Sequence, residues 1–208
     1  ISYGGGLMLK AYQKFKTVLP SPFLLMTHGT FADAESTIRF LLNGKISIHG
    51  TQYTIKPHSW GLIVLFQNFL KNIDLDWDST GVQEAIHSQI QKRFDHRDNI
   101  ISKLPAFQKG IIKSILSGEA TEEVIRLSNE IITNESSTFK DLSPKYWCHE
   151  IQQKVFIFHG ANDSMVPFTE SIQLADYIPD SELLISYIYE HKEISTEKGM
   201  FFKLKEII

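Results

Sequence analysis

Residues 154–163, with the sequence KVFIFHGAND, decide the fold class. Their apolar run 155–158 is typical of a strand buried on both faces, and a polar loop follows it at once. Residues 167–177 have a helical pattern, a second apolar strand is predicted over 182–189, and a last helix over about 196–207. Strand, helix, strand and helix in this order predict an α/β fold with a parallel sheet.

Two chemically useful side chains follow these predicted strands. Asp163 comes shortly after the first strand, and His191 comes directly after the second. Catalytic and binding groups of open parallel sheets lie at the carboxyl ends of the strands. We therefore expect Asp163 and His191 to lie at the same edge of the sheet.

The N-terminal residues contain a candidate nucleophile. Ser2, Tyr3 and Gly4 match the last three positions of G-x-S-x-G, and a glycine run and a helical pattern follow them. In a nucleophile elbow, the serine occupies a strained turn between a strand and a helix, and nearby glycines let the two elements approach closely. A serine beside a glycine run is also typical of a flexible terminus, so this motif is weak when it stands alone.

The order of the three candidates strengthens the motif. A serine hydroxyl becomes a good nucleophile when an imidazole accepts its proton, and a carboxylate orients that imidazole. Ser2, Asp163 and His191 follow one another in the order Ser, Asp, His, which is the chain order of the α/β-hydrolase triad.

Three segments resemble the α/β-hydrolase superfamily. Residues 155–179 (VFIFHGANDSMVPFTESIQLADYIP) resemble its acid-bearing strand, loop and helix, residues 182–191 (ELLISYIYEH) its last strand and triad histidine, and residues 1–6 (ISYGGG) its elbow. The resemblance implies that Ser2 is the nucleophile, that Asp163 is the acid and that His191 is the base. It also implies that the backbone N–H of Tyr3 is one oxyanion donor, and that the catalysis needs no cofactor and no metal.

The same resemblance implies how the chain is organised. We expect residues 1–32 to be hydrolase core with strand six at about 24–27, residues 33–140 to be an inserted helical cap, and residues 141–208 to complete the core. We also expect the chain to begin within a domain at the nucleophile elbow, so that the second oxyanion donor precedes Ile1. A competing interpretation makes 24–29 an N-terminal strand with its oxyanion loop, but no G-x-S-x-G follows it.

Local signals predict the elements of the cap. Asp33 can cap a helix that ends at Gly44, and residues 45–58 are expected to be irregular or weakly extended. Thr80 and Gln83 form a capping-box pattern for a helix whose apolar spacing of four continues to Phe94. The other predicted helices span 60–73, 105–116 and 121–132. The apolar helix at 60–69 suits either an acyl pocket or ordinary core packing.

The composition excludes several classes of function. With 42% hydrophobic residues, 22% charged residues and a net charge of −3, the chain is globular in type and has no basic cluster suited to nucleic acid. It contains no run of about 20 apolar residues that would span a membrane. A single cysteine rules out an internal disulfide, and the cap histidines lack metal-ligand spacing. These residues are Cys148, His49, His58, His87 and His96.

Taken together, the sequence predicts a serine esterase or lipase that acts on a small-molecule carboxylic ester. Two alternatives stay open at this point. A serine peptidase of the prolyl-oligopeptidase type shares the HG-x-x-D pattern, although the large helical insertion favours a capped esterase. A binding module that keeps the hydrolase fold without a complete site is the third possibility.

Overall fold

A computed structural model describes residues 1–18, 20, 22 and 24–188. By their contacts, these residues divide into two compact units. The first contains the described residues of Ile1–Phe40, Gly44–Lys56 and Thr138–Ile208, and the second contains Leu41–Asn43 and Pro57–Ser137. The cap boundaries at 33 and 140 stay a prediction, since a division by contacts does not identify a cap.

The described part of the chain contains five short strands and nine α-helices, six of which follow one another between β3 and β4. The strands are β1 (Leu25–His28), β2 (Lys45–Ile48), β3 (Thr51–Thr54), β4 (Val155–Gly160) and β5 (Ser181–Ser186). The α-helices are α1 (Tyr3–Phe15), α2 (Ala34–Asn43), α3 (Trp60–Phe69), α4 (Thr80–Ile90), α5 (Phe94–Lys103), α6 (Ala106–Ser117), α7 (Glu122–Asn134), α8 (Ser136–Leu142) and α9 (Thr169–Tyr177).

The first unit is built on a parallel sheet with the order β1-β4-β5. Leu25 lies opposite Val155, which in turn lies opposite Ser181. The helices α1 and α9 pack on this sheet and bury its apolar residues. The predicted α/β fold with parallel strands is thereby confirmed. The buried cluster comprises Leu9, Leu25, Ala32, Trp147, Cys148, Ile151, Val155, Ile157, Leu174 and Ile178.

Cys148 belongs to this buried core. Its side chain has no exposed surface, and burial raises the pKa of its thiol to about 12. A thiol in this environment stays protonated at neutral pH and behaves as a small apolar side chain.

Both predicted ends of α2 are present in the structure. The carboxylate of Asp33 accepts a hydrogen bond from the backbone N–H of Glu35 over 3.2 Å. At the other end, Gly44 has φ of 65°, which is the left-handed conformation that glycine adopts most easily.

The segment predicted as irregular or weakly extended contains a β-hairpin, so its extended character is present but its pairing was not predicted. Strands β2 and β3 pair antiparallel around a two-residue turn formed by His49 and Gly50. Their φ values of 48° and 82° match a turn with two left-handed residues, the type that suits hairpin twist. The sequence signal was weak because histidine replaces the usual asparagine or aspartate.

The helix predicted to continue to Phe94 ends earlier. Lys92 has φ of 56°, which breaks the helical path after α4, and Phe94 starts the separate helix α5. The expected capping box does not form in the described structure: Ser79 is the N-cap residue of α4, and its side chain makes no capping hydrogen bond. Gln83 donates its side-chain amide to the hydroxyl of Ser79 over 2.8 Å, instead of closing a box with Thr80.

The second unit is helical, and α3 contributes to its core. The buried residues of α3 are Gly61, Leu62, Ile63, Leu65 and Phe66. Most of its apolar surface is therefore used for packing within the unit. Among the described residues, no helix is both long enough and apolar enough to cross a membrane. Residues 189–208 lie outside the described residues. They include the helix predicted at 196–207, the last residue of the strand predicted to 189, and His191.

Candidate active site

Ser2 occupies a strained turn immediately before α1. Its φ and ψ are 54° and −138°, a combination that L-residues adopt rarely and at a cost of about 1–3 kcal/mol. Serine is a common helix cap, but in the described part of the chain its side-chain oxygen accepts no capping hydrogen bond from the backbone N–H groups of α1. The strained backbone is therefore not explained by capping.

The turn is attached to the carboxyl end of β1. The backbone N–H of Ser2 donates to the carbonyl oxygen of His28 over 2.6 Å. The carbonyl oxygen of Ser2 accepts from the N–H of Gly5 over 2.9 Å and from the hydroxyl of Thr30 over 3.0 Å. The N–H of Ser2 is thus hydrogen-bonded to β1, and its carbonyl oxygen is hydrogen-bonded to the loop that follows β1.

The close approach that the motif requires falls on Gly5. A Cβ added to Gly5 would lie 2.0 Å from the hydroxyl oxygen of Thr30, whereas a Cβ added to Gly4 would meet no described atom within 4 Å. The motif glycine, Gly4, therefore makes no close approach to the described residues. The side chain of Thr30 occupies this space and donates to the carbonyl oxygen of Ser2.

Tyr3 is the first residue of α1. Its ring stacks on Phe31 in the loop after β1, with a centroid distance of 6.2 Å. Its backbone N–H belongs to the first helical turn, whose N–H groups have no acceptor within the helix. The positive end of the helix dipole at this position favours negative charge. These features suit the oxyanion donor that the sequence predicts.

Asp163 lies in the loop that follows β4 and has no exposed surface. Its Oδ1 atom accepts two backbone hydrogen bonds, from Met165 over 2.8 Å and from Val166 over 2.9 Å. Its own N–H donates to the carbonyl oxygen of Gly160 at 3.1 Å. The loop therefore fixes the rotation of the carboxylate.

His159, the penultimate residue of β4, is also fully buried. Its Nε2 atom lies 2.9 Å from the carbonyl oxygen of Val166 and 3.2 Å from Oδ2 of Asp163. Its Nδ1 atom lies 2.6 Å from the hydroxyl of Ser171. These contacts hold the loop after β4 in place, so His159 shapes the acid loop.

A buried glutamate organises the loop after β1. One carboxylate oxygen of Glu170 accepts from the N–H groups of Ala32 and Asp33 over 3.0 and 2.8 Å, and the other contacts the hydroxyl of Ser36. Burial raises the pKa of Glu170, although these hydrogen bonds oppose the shift. Sequence reasoning missed this residue because one acidic residue in a helix is indistinguishable from a surface residue.

Two of the three predicted triad residues can be placed. Ser2 is bonded to the end of β1, and Asp163 follows the end of β4, which is the parallel neighbour of β1. Both therefore lie at the same carboxyl edge of the sheet. His191 lies outside the described residues, so its expected contacts with Ser2 and Asp163 stay a prediction.

Among the described residues, no group of three or more His, Cys, Asp or Glu side chains is arranged to hold a metal ion. The carbonyl oxygen of Ser2 and Oδ1 of Asp163 accept hydrogen bonds from neighbouring side-chain and backbone donors. What these residues offer chemically is a hydroxyl and a carboxylate at one sheet edge.

No protein-family model and no curated protein matches the chain. Solved structures do match it. An alpha/beta fold family hydrolase from Bacillus anthracis str. Sterne is 19% identical, with a TM-score of 0.42 over 91% of this chain and 58% of that chain. A 2-hydroxy-6-oxo-6-phenylhexa-2,4-dienoate hydrolase from Rhodococcus sp. strain RHA1 is 15% identical, with a TM-score of 0.39 over 90% and 54%.

A serine hydrolase from Cycloclasticus zankles is 14% identical, with a TM-score of 0.39 over 98% of this chain and 60% of that chain. The chain is thus similar to solved hydrolases, and it spans little more than half of the length of each.

Proposed function

We propose that the protein is a serine hydrolase of the α/β-hydrolase superfamily that cleaves a small carboxylic ester through an acyl-enzyme. The observation that carries this proposal is the strained backbone of Ser2 at the end of β1, beside the strand that leads to Asp163. Strain of this kind persists where the surrounding structure holds it, and it is concentrated at functional sites.

The proposed reaction uses each residue in a separate role. The hydroxyl oxygen of Ser2 attacks the ester carbonyl while His191 accepts its proton, and Asp163 orients the imidazole. The N–H of Tyr3 donates to the oxyanion of the tetrahedral intermediate. His191 then gives the proton to the departing alcohol, and a water molecule activated by His191 releases the acid from Ser2.

The direct test is ester turnover by the full-length protein with p-nitrophenyl acetate as substrate. We expect Ser2→Ala to lower kcat by about 10³-fold or more, because the covalent step is lost. Ser102→Ala is the matched control, since Ser102 lies on the exposed surface of α5 in the other unit. Turnover that survives Ser2→Ala would contradict the proposal.

The alternatives give different results in the same assay. A peptidase of the prolyl-oligopeptidase type would cleave a short prolyl peptide better than the ester. A non-catalytic module would turn over neither substrate, although it folds cooperatively.

A further inference from the structure

A string of buried polar side chains connects the acid loop with the turn at Ser2. Asp163, His159, Ser171 and Thr30 each have no exposed surface. Oδ2 of Asp163 lies 3.2 Å from Nε2 of His159, and Nδ1 of His159 lies 2.6 Å from the hydroxyl of Ser171. That hydroxyl is 3.5 Å from the carbonyl oxygen of Thr30, whose side chain donates to the carbonyl oxygen of Ser2.

The acceptors around His159 fix its proton. A backbone carbonyl oxygen accepts hydrogen bonds and cannot donate them, so the Nε2 atom beside Val166 must carry hydrogen. In the neutral imidazole, Nδ1 is then an acceptor, and the hydroxyl of Ser171 donates to it. Both ring nitrogens are thus engaged inside the fold, which excludes His159 from acting as a base toward a substrate in this arrangement.

The same N–H group of His159 lies close to the carboxylate of Asp163. Oδ1 of Asp163 is held by two backbone donors, which no side-chain substitution removes. The hydrogen bond of His159 Nε2 goes to the carbonyl oxygen of Val166, and Oδ2 of Asp163 lies 3.2 Å from the same nitrogen, so the polar N–H group stands beside the second carboxylate oxygen. Through Ser171, the ring is in turn held by the first turn of α9.

We propose that His159 is a positioning residue of the site, which holds the carboxylate of Asp163 in its working orientation by bonding the carbonyl oxygen of Val166 in the acid loop and by placing Nε2–H beside Oδ2. This inference rests on the proposed function, because it assigns a task to the acid of that site. His159 does not touch the substrate, and its effect passes through Asp163.

Two amide substitutions separate the two ring nitrogens. In His159→Gln, the side-chain amide nitrogen lies near the place of Nε2 and retains a donor to Val166 beside Oδ2 of Asp163. The hydroxyl of Ser171, having lost its acceptor, can turn to the carbonyl oxygen of Thr30. In His159→Asn, the shorter amide reaches the place of Nδ1, so the carbonyl oxygen of Val166 loses its donor and Oδ2 of Asp163 loses the neighbouring N–H group.

We expect His159→Asn to lower kcat for p-nitrophenyl acetate by roughly 10- to 100-fold with KM nearly unchanged, because a small misplacement of a catalytic group costs that much. His159→Gln should stay within about threefold of the wild type on the same reasoning. Leu174→Ala, which empties a fully buried core position of α9, is the control for loss of stability without loss of the donor. A positioning role predicts that Leu174→Ala lowers the melting temperature while kcat below that temperature is retained.

The outcomes distinguish this inference from the proposed function. If Ser2→Ala leaves turnover intact, the proposed function is wrong. If Ser2→Ala abolishes turnover but His159→Asn and His159→Gln have equal kcat values, the role of His159 is wrong and the function stands.

A measurement on the wild-type protein covers the case in which a variant does not fold. Nitrogen-15 NMR of the histidine rings should show hydrogen on Nε2 of His159, because the carbonyl oxygen of Val166 accepts there. Hydrogen on Nδ1 alone would overturn the proposal.

Discussion

The backbone N–H of Ser2 donates to the carbonyl oxygen of His28 over 2.6 Å, which ties the strained turn to the last residue of β1. The next residue, Gly29, donates its N–H to Phe158 of β4 over 2.9 Å. Asp163 follows β4 within a few residues. The candidate nucleophile and the candidate acid are therefore fixed to two adjacent parallel strands, and this relationship gives the proposed function its geometry.

Substitution of the two neighbouring glycines by alanine should have opposite effects on stability. Gly5→Ala places a Cβ against the hydroxyl of Thr30, and overpacking of this kind typically costs about 1–3 kcal/mol. Gly4→Ala meets open space and should stabilise α1 by about 0.5–1 kcal/mol. Urea unfolding of the full-length protein measures both values. Equal effects of the two substitutions would show that Thr30 does not approach α1 closely.

Two buried threonines provide a matched pair for testing the hydrogen bond to the turn. Thr30→Val keeps the shape of the side chain but removes the donor to Ser2, and we expect a loss of about 1 kcal/mol of unfolding free energy. The hydroxyl of Thr27 is buried with no partner among the described residues. Thr27→Val should therefore be neutral or stabilising, since it removes an unsatisfied polar group.

Ester turnover extends this comparison to function. If Thr30 holds the turn, Thr30→Val should lower kcat while Thr27→Val leaves it near the wild-type value. Equal turnover in the two variants would show that the hydrogen bond between Thr30 and Ser2 is not needed for catalysis.

The buried carboxyl of Glu170 should make stability depend on pH. Because burial raises its pKa, the folded state binds the proton more tightly than the unfolded chain. The stability that the protonated carboxyl of Glu170 contributes is therefore fully present below the ordinary pKa of 4.5 and is lost as the pH rises through the raised pKa. Glu170→Gln lacks this titration and should gain stability relative to the wild type between pH 4.5 and neutrality.

Urea unfolding at a series of pH values checks the slope of that difference. Glu119→Gln, at an exposed position, is the control for removing one negative charge from the surface. A difference between Glu170→Gln and the wild type that stays constant with pH would contradict the expected ionisation.

Local sequence signals predicted those helix ends at which a residue type has a specific capping role. The helix α2 is bounded by Asp33 and Gly44, and both act as the sequence indicates. The break before Phe94 was missed because the apolar spacing continues across it and because Lys92 has no sequence feature that marks a left-handed residue. Periodicity identifies which face of a segment is apolar, but it does not locate a one-residue change of backbone path.

The residues that support the candidate site could not be predicted from the sequence. Ser2 and Asp163 were found from motif and chain order, which are properties of the chain itself. Thr30 contacts Ser2, which lies 28 residues earlier in the chain, and Glu170 contacts Ala32, which lies 138 residues earlier. Only the fold brings these residues together. Their polar side chains have ordinary sequence surroundings, so their burial and their hydrogen bonds become visible in the tertiary structure alone.

The central claim is that Ser2 is an activated nucleophile, and covalent labelling tests it without knowledge of the substrate. A fluorophosphonate reacts when a serine oxygen displaces fluoride from phosphorus, so the full-length protein should gain one adduct on the peptide that contains Ser2. Mass spectrometry of the digested protein locates that adduct. Ser2→Ala should abolish it, and Asp163→Asn should slow its formation greatly, because the imidazole is no longer oriented. A folded protein that forms no adduct, or that carries it on a different serine, would contradict the account.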